Sequence, residues 1–371
     1  MPDRLRITYD LTLAPGEAAE AKARDIAREQ TVELPPGGAP AEVEARVVGS
    51  LESLAPTDRG RWRAVIGYDA ALVGADVPQL LNLVFGNVSL KSGIRVTDLQ
   101  LPAGLLDRFP GPRFGIAGLR ERCGILRRPL LCAAAKPVGL SAPALAELCY
   151  RFARAGFDLV KDDHSVTDQE TAPFRERVER CRDAVARANR ETGGRTLYLP
   201  NVTGPRATLD ERLDVARAEG CAAVLVNALP LGLDTLGAPA EWGLAAVSHP
   251  TFAGALFAAD HGIAPHVLLG TLFRLAGSDA VIYPNVGGRF PDEVFSDEAC
   301  AAIHQALRAP LGRLRPAFPV PGGGIEAARV PHWIERYGGD TIFLVGSSLY
   351  AQADLDAAAR GLVASVRRQG A

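Results

Sequence analysis

The chain has 371 residues, of which 47% are hydrophobic and 23% charged, a composition that can bury a sizeable core and a length that suits roughly two domains of about 150 residues. A formal net charge of −2 and a pI near 6.3 leave no basic footprint for nucleic acid. No apolar run approaches the roughly 18 residues of a membrane span, and MPDRLRITYDL lacks a signal peptide's apolar stretch, so the expectation is a cytoplasmic protein without nucleic-acid or membrane partners.

In chain order, RLRITYDLTL alternates apolar and polar residues as a strand does, and GEAAEAKARDIAREQ is strongly helical. ARVVGSLESL and RWRAVIGYDAAL read as strands, DVPQLLNLVFGN as a helix and GIRVTDLQLP as a further strand. That βαββαβ order is the ferredoxin-like sandwich. LPAGLLDRFPGPRFGI then concentrates proline and glycine, as connections between domains do. The reading is an N-terminal ferredoxin-like α+β domain over residues 1–112 and a second domain over 113–371.

From about residue 126 strands and helices alternate. The strands are RPLLCAAAK, DLVKDD, TLYLPNV, AAVLVNAL, GLAAVSH, AVIYPN, LRPAFPVPGG and TIFLVGSS. Among the helices, SAPALAELCYRFARAG has Ser141 as its N-cap and Pro143 in its first turn. Eight strands over roughly 245 residues fit a C-terminal (β/α)8 TIM barrel, for which about 250 is typical. A doubly wound sheet is the alternative, but it usually has fewer strands and no GxGxxG follows the first strand here. Six cysteines (Cys123, Cys132, Cys149, Cys181, Cys221 and Cys300) form no CxxC pair, which argues against a zinc ribbon or a disulfide framework.

Barrel chemistry sits at the C-terminal ends of the strands. Here those ends carry Lys136; Lys161, Asp162, Asp163 and His164; Asn201; Asn227; His249; Tyr283 with Asn285; Gly322, Gly323 and Gly324; and Gly346, Ser347 and Ser348. The last two glycine-rich ends let backbone N–H groups approach a phosphate, where barrels commonly hold one. Lysine is scarce, with only Lys22, Lys91, Lys136 and Lys161 among 41 Lys+Arg. A retained lysine points to work that guanidinium cannot do, because an ammonium can give up its proton. Asp163 and His164 plus an oxygen donor could hold a divalent cation. Lys161 cannot ligate as an ammonium but could as a carbamate formed with CO2; the competing reading is a Schiff-base lysine.

These stretches together resemble the RuBisCO large-subunit superfamily, and the chain is similar to its RuBisCO-like, non-carboxylating form IV members. VFGNVSLKSGIRVTDLQLP, FPGPRFGI, RPLLCAAAKPVGLS, GFDLVKDDHSV, PGGGI and GSS carry the resemblance over nearly the whole length. It implies Mg2+ or Mn2+ on a carbamylated Lys161 with Asp163 and His164, and Lys136 as the group that moves protons at the substrate's reacting carbons. His249 matches an active-site histidine, and Gly322, Gly323, Gly324, Gly346 and Ser347 fall at the phosphate turns. Asn201, Tyr283, Asn285 and Arg289 join the expected substrate-binding set. Asn87 matches an asparagine that reaches a partner's site, which implies an antiparallel homodimer with shared active sites.

The chain departs from the carboxylases in several places. His164 stands for a glutamate, which favours a borderline metal such as Mn2+. KPVG is one residue shorter than KPKLG, Pro250 replaces an arginine, Tyr283 a histidine, and the lid lysine is at best Arg289. The expectation is therefore a metal-dependent enolase, isomerase or decarboxylase-type lyase of a phosphorylated ketose or keto sugar acid, not a CO2-fixing enzyme. A transcarboxylase/hydrolase of a 3-oxo sugar-acid phosphate leads that expectation. The alternatives are the 2,3-diketo-5-methylthiopentyl-1-phosphate enolase of methionine salvage, a Schiff-base aldolase and a degenerate binding protein.

Overall fold

In the computed structural model, which describes residues 4–57, 60–290 and 294–369, two sheets organise the chain. The first is built on β1 (Arg4–Leu11), β2 (Ser50–Pro56), β3 (Trp62–Asp69) and β4 (Ile94–Gln100), ordered β4-β1-β3-β2 with antiparallel pairing. Period-two alternation drives it: Leu5, Ile7, Tyr9 and Leu11 are fully buried, and the residues between them are not. The helix Ala19–Glu29 lays Ala19, Ala23, Ile26 and Ala27 on the protein interior. This is the expected ferredoxin-like order.

One expected strand starts late. Ala45 to Val47 belong to a helix, Ala41–Val47, and β2 begins only at Ser50. The sequence AEVEARV after Pro40 is built of helix formers, and their local preference overrides the apolar run that read as a strand.

The second sheet comprises β5 (Leu130–Ala135), β6 (Leu159–Asp162), β7 (Leu197–Leu199), β8 (Ala223–Val226), β9 (Ala245–Ser248), β11 (Ala280–Pro284), β12 (Phe318–Gly322) and β13 (Ile342–Val345). All pair in parallel, in the order β7-β6-β5-β13-β12-β11-β9-β8. A bridge between Asn201 and Leu225 closes the ring from β7 to β8. Eight parallel strands closed on themselves are the expected barrel.

Strand parity decides what enters the barrel. Leu130, Cys132, Leu159, Leu199, Ala223, Leu225, Ala245, Val247, Ala280, Ile282, Phe318, Val320 and Ile342 form one inner cluster, plugged from one end by Ile116 and Leu119 of the helix Gly115–Cys123. Their neighbours Leu131, Val160, Tyr198, Val224, Val281 and Phe343 point outward into the larger core. Following the inward parity to each strand's C-terminal end and just beyond reaches Lys136, Lys161, His249, Gly322 and Gly346. The two sheets are joined by β10 (Gly262–Ile263), which leaves the barrel after β9 and pairs in parallel with β4.

The helix Asp297–Arg308 carries His304, 8% exposed, whose Nε2 accepts from Arg308 Nη1 at 3.0 Å. Burial first, and then the Arg308 charge, push its pKa down to about 4. The group is neutral when folded and titrates near 6.5 when unfolded. Its stabilising contribution is complete above pH 6.5 and declines as pH falls toward 4, by about 2–3 kcal/mol. Urea midpoints of wild type should therefore drop between pH 7 and 4.5 more steeply than those of His304→Gln. Parallel slopes would contradict this.

Candidate active site

A cavity of about 700 Å3 opens at the C-terminal ends of the barrel strands. Its polar wall holds Lys136, Lys161, Asp163, His164 and His249, and its floor includes Ile282 and Leu344. Lys161 is 2% exposed, and its Nζ donates to the Asp162 carbonyl at 3.0 Å. Burial lowers its pKa against the opposing pull of Cys132, Asp163 and Asp162, and Lys136 lowers it further. A lowered amine pKa is what carbamate formation or Schiff-base chemistry requires.

Adjacent residues divide the work by parity. Asp162 points outward and is used up in structure: it accepts from Arg177 Nε at 3.0 Å, Tyr198 Oη at 2.8 Å and the Asn201 N–H at 2.9 Å. Asp163 turns to the cavity, with Oδ1 3.0 Å from His164 Nδ1. Burial pushes its carboxyl up, but the His164 contact, the Lys161 charge and the Ser165 N–H outweigh that and hold it well below the usual range. Asp163 and His164 thus offer an anionic oxygen and an imidazole nitrogen side by side.

Among the described residues no group of three or more His, Cys, Asp or Glu could hold a metal. The Asp163–His164 pair becomes a three-donor set only if Lys161 itself supplies an oxygen, which a carbamate would do. The buried amine of lowered pKa next to this pair therefore fits the implied cation.

The His164 ring stacks on His249, with centroids 4.3 Å apart and planes 3° from parallel. His249 Nδ1 accepts from the Thr251 N–H at 3.2 Å and lies 2.6 Å from Thr251 Oγ1. Burial, followed by the charges of Lys161 and His164, pushes its pKa well below the ordinary value. It is therefore neutral, with Nδ1 as acceptor and the proton on Nε2.

Lys136 lies with Nζ 5.8 Å from the Tyr350 ring centroid. A Cβ added at Gly346 would come within 3.1 Å of that Nζ, so glycine there leaves the ammonium its place. Gly324, at φ +65, packs against the loop after β11: a Cβ would meet the Gly287 carbonyl at 3.0 Å. These glycines serve close packing of two loops as well as exposing backbone to the cavity. Gly322, Gly323, Gly324, Gly346, Ser347 and Arg289 all line it.

Three expected residues, Asn201, Asn285 and Asn87, lie outside the cavity lining, and Tyr283 reaches the lining with its ring turned away. Asn201 is fully buried, donating through Nδ2 to the carbonyls of Asp163, His164 and Val166 at 3.4, 2.9 and 3.0 Å while Oδ1 accepts from Thr203. It holds the 163–166 loop and has no bond left for a ligand. Asn285 is also buried, bonded to the Gly323 carbonyl and the Tyr337 hydroxyl. The Tyr283 ring joins the core outside the barrel, near Tyr337 and Cys300, because Ala280 and Ile282 take the inward positions of β11. Its hydroxyl has no hydrogen-bond partner among the described residues. Asn87 sits on the small domain, with Nδ2 3.3 Å from Glu29 Oε1, outside this cavity's lining.

Sequence reasoning missed the aromatic part of the lining. Phe252, Phe257, Phe290 and Phe295 line the cavity. Phe252 is 72% exposed and adopts φ 75°, and Phe290 is 47% exposed. A left-handed conformation costs a bulky side chain about 1–2 kcal/mol, and such strain clusters at functional sites. No local motif announces it.

The molecule is therefore a (β/α)8 barrel with a small N-terminal domain and one ionisable cavity at the barrel mouth. Residues 115–367 match the family of the ribulose bisphosphate carboxylase large chain, catalytic domain. The chain belongs to that family, as a RuBisCO-like, non-carboxylating member. It is 41% identical over 361 residues to a 5-methylthioribulose-1-phosphate isomerase of Rhodospirillum rubrum, covering 95% of this chain and 93% of the relative. It is 39% identical over 361 residues to ribulose bisphosphate carboxylase-like protein 1 of Rhodopseudomonas palustris, covering 95% of each. A 2,3-diketo-5-methylthiopentyl-1-phosphate enolase of Geobacillus kaustophilus is 37% identical over 78% of this chain and 70% of its own. Among solved structures, a Rubisco-like protein from Rhodopseudomonas palustris superposes with TM-score 0.88 at 39% identity, covering 100% and 99%. A dimeric archaeal Rubisco from Hyperthermus butylicus does so with TM-score 0.90 at 26% identity, covering 99% and 90%.

Proposed function

We propose that this protein is a metal-dependent enolase or isomerase of a phosphorylated ketose bearing a thioether tail. The observation that carries the reading is the mixed lining of the cavity: Lys136, Lys161, Asp163, His164 and His249 share it with four phenylalanines. Aromatic faces favour sulfur and apolar groups, with sulfur contacts contributing about 0.3–1.5 kcal/mol. A carboxylated sugar acid would lose solvation against those rings, so we place the thioether substrate ahead of the sugar acid. The relatives named as a methylthioribulose phosphate isomerase and a diketo-methylthiopentyl phosphate enolase support the same choice.

Lys161 as a carbamate, Asp163 and His164 would hold Mg2+ or Mn2+. The cation would polarise the substrate carbonyl and make the adjacent C–H acidic. Lys136 moves the proton between the reacting carbons. His249, neutral with its proton on Nε2, donates to a substrate oxygen. Backbone N–H groups of the turns at Gly323, Gly324, Gly346 and Ser347 receive the phosphate. We extend the reading to an antiparallel homodimer in which Asn87 completes the partner's cavity. The 88% exposed Leu90 beside it supports an apolar contact there.

The test is α-proton exchange in D2O with 5-methylthioribulose 1-phosphate, divalent metal and bicarbonate, with and without a chelator. Exchange that vanishes with chelator supports the reading. Exchange with a sugar-acid phosphate but none with the thioether ketose would overturn the substrate choice, and borohydride trapping of Lys161 would overturn the metal. Phe252→Gly adds a specificity check. Relief of the φ 75° strain offsets glycine's own entropic cost, so stability should stay within about 1 kcal/mol of wild type. KM for the thioether ketose should rise roughly tenfold, the equivalent of about 1.4 kcal/mol of lost contact, with kcat little changed. An unchanged KM would remove Phe252 from the site.

A further inference from the structure

A second cavity, of about 490 Å3, lies at the opposite end of the barrel, where the strands begin. Arg128 precedes β5, Asp158 precedes β6 and Thr196 precedes β7, and all three line it. Arg154, Arg195 and Arg367 complete its charged wall. Arg128 and Asp158 neutralise each other through two bonds of 2.7 Å. Among the described residues, Arg154, Arg195 and Arg367 make no ion pair or hydrogen bond.

Four helices end at this cavity: Gly115–Cys123, Ala142–Ala155 and Phe174–Thr192, each capped by a left-handed glycine, and Leu355–Gln369, whose last turn carries Arg367. Helix C-termini attract arginine, so the bland account is that the guanidiniums only balance those dipoles. The magnitudes do not close. Four helix ends bring about −0.5 each, roughly −2 in all, against three uncompensated guanidiniums. A surplus of about one positive charge remains in a concave space.

The placement of two guanidiniums is also specific. A Cβ at Gly156 would lie 2.8 Å from Arg367 Nη2, and one at Gly124 3.1 Å from Arg195 Nη1. The bare glycines let both arginines lie along the cavity wall while staying exposed to solvent, and so to a ligand. The volume holds roughly 16 waters at about 30 Å3 each, more room than a single phosphate group needs.

We propose that this cavity binds a compact polyphosphate, a diphosphate or the polyphosphate moiety of a larger metabolite, at a site separate from the barrel mouth. Guanidinium forks match phosphate oxygens two at a time, and three unpaired forks around one space suit a ligand with at least two phosphate groups.

Isothermal titration of inorganic pyrophosphate into the full-length protein tests this, since the barrel mouth also offers phosphate turns. The expected result is binding that weakens with salt, survives in Lys136→Ala, and falls at least tenfold in the Arg195→Ala/Arg367→Ala double variant. Inorganic phosphate should bind more weakly than pyrophosphate. Arg154→Glu, with an unchanged melting temperature, should show the same loss and guards against a folding defect in the double variant. The proposal is overturned if wild type binds no pyrophosphate at millimolar concentration, if the arginine variants bind as tightly as wild type, or if only Lys136→Ala loses the heat signal.

Discussion

Lys161→Met is expected to keep the fold and to lose the proposed metal-dependent activity by on the order of 1000-fold. Lys161 is buried, and among the described residues its one hydrogen bond runs to the Asp162 carbonyl. Methionine matches its length and brings no group to desolvate, so stability should hold or rise by about 1 kcal/mol. The chemistry should not survive. Without Lys161 the cavity retains two donors, Asp163 and His164, and the proposed metal, worth several kcal/mol of transition-state stabilisation, would no longer be held. Thermal shift separates the two effects. With Mn2+ and bicarbonate at about 100 times Kd, wild type should gain about 2.7 kcal/mol, and Lys161→Met should gain nothing. A variant that melts early without metal would speak of a structural lysine, and one that still responds fully to Mn2+ would remove Lys161 from the ligand set.

The residues legible in the sequence were those whose position follows from parity. Leu159 and Lys161 share a face of β6, as Ala134 and Lys136 do at the end of β5, so an inward strand core extends into an inward site. His249, Gly322 and Gly346 follow the same rule on β9, β12 and β13. Tyr283 shows how the rule can be missed: matching it to a family histidine ignored that Ile282 holds the inward place. Asn201 was placed at the correct strand end but assigned the wrong partner, because nothing local reveals that three loop carbonyls claim its amide. The phenylalanine wall comes from separate loops that only the closed barrel brings together. The helix Ala41–Val47 was a local failure, in which an apolar run outweighed good helix formers.

Asn201→Ala is expected to be strongly destabilising although its side chain does not line the cavity, and Asn227→Ala to be much milder while weakening the proposed metal binding in the same direction. Both amides donate to the His164 carbonyl at 2.9 Å, clamping the residue beside Asp163 from two strands. Asn201 also holds the carbonyls of Asp163 and Val166 and receives two bonds from Thr203. Its removal leaves several buried groups unpaired at about 1–3 kcal/mol each, so a loss of about 3–5 kcal/mol is expected. Asn227 makes one such side-chain donation, and its own Oδ1 is buried without a partner among the described residues. Deleting that orphan recovers part of what the lost bond costs, so Asn227→Ala should cost about 1 kcal/mol. Denaturant midpoints rank the two. Mn2+ affinity, read by paramagnetic resonance on variants folded at low temperature, should fall about 10–100-fold in each, the range for groups that orient a ligand from behind. Equal midpoints would mean that the Thr203 and Val166 bonds carry little. An unaltered Mn2+ affinity in Asn227→Ala would mean that one clamp suffices to aim His164.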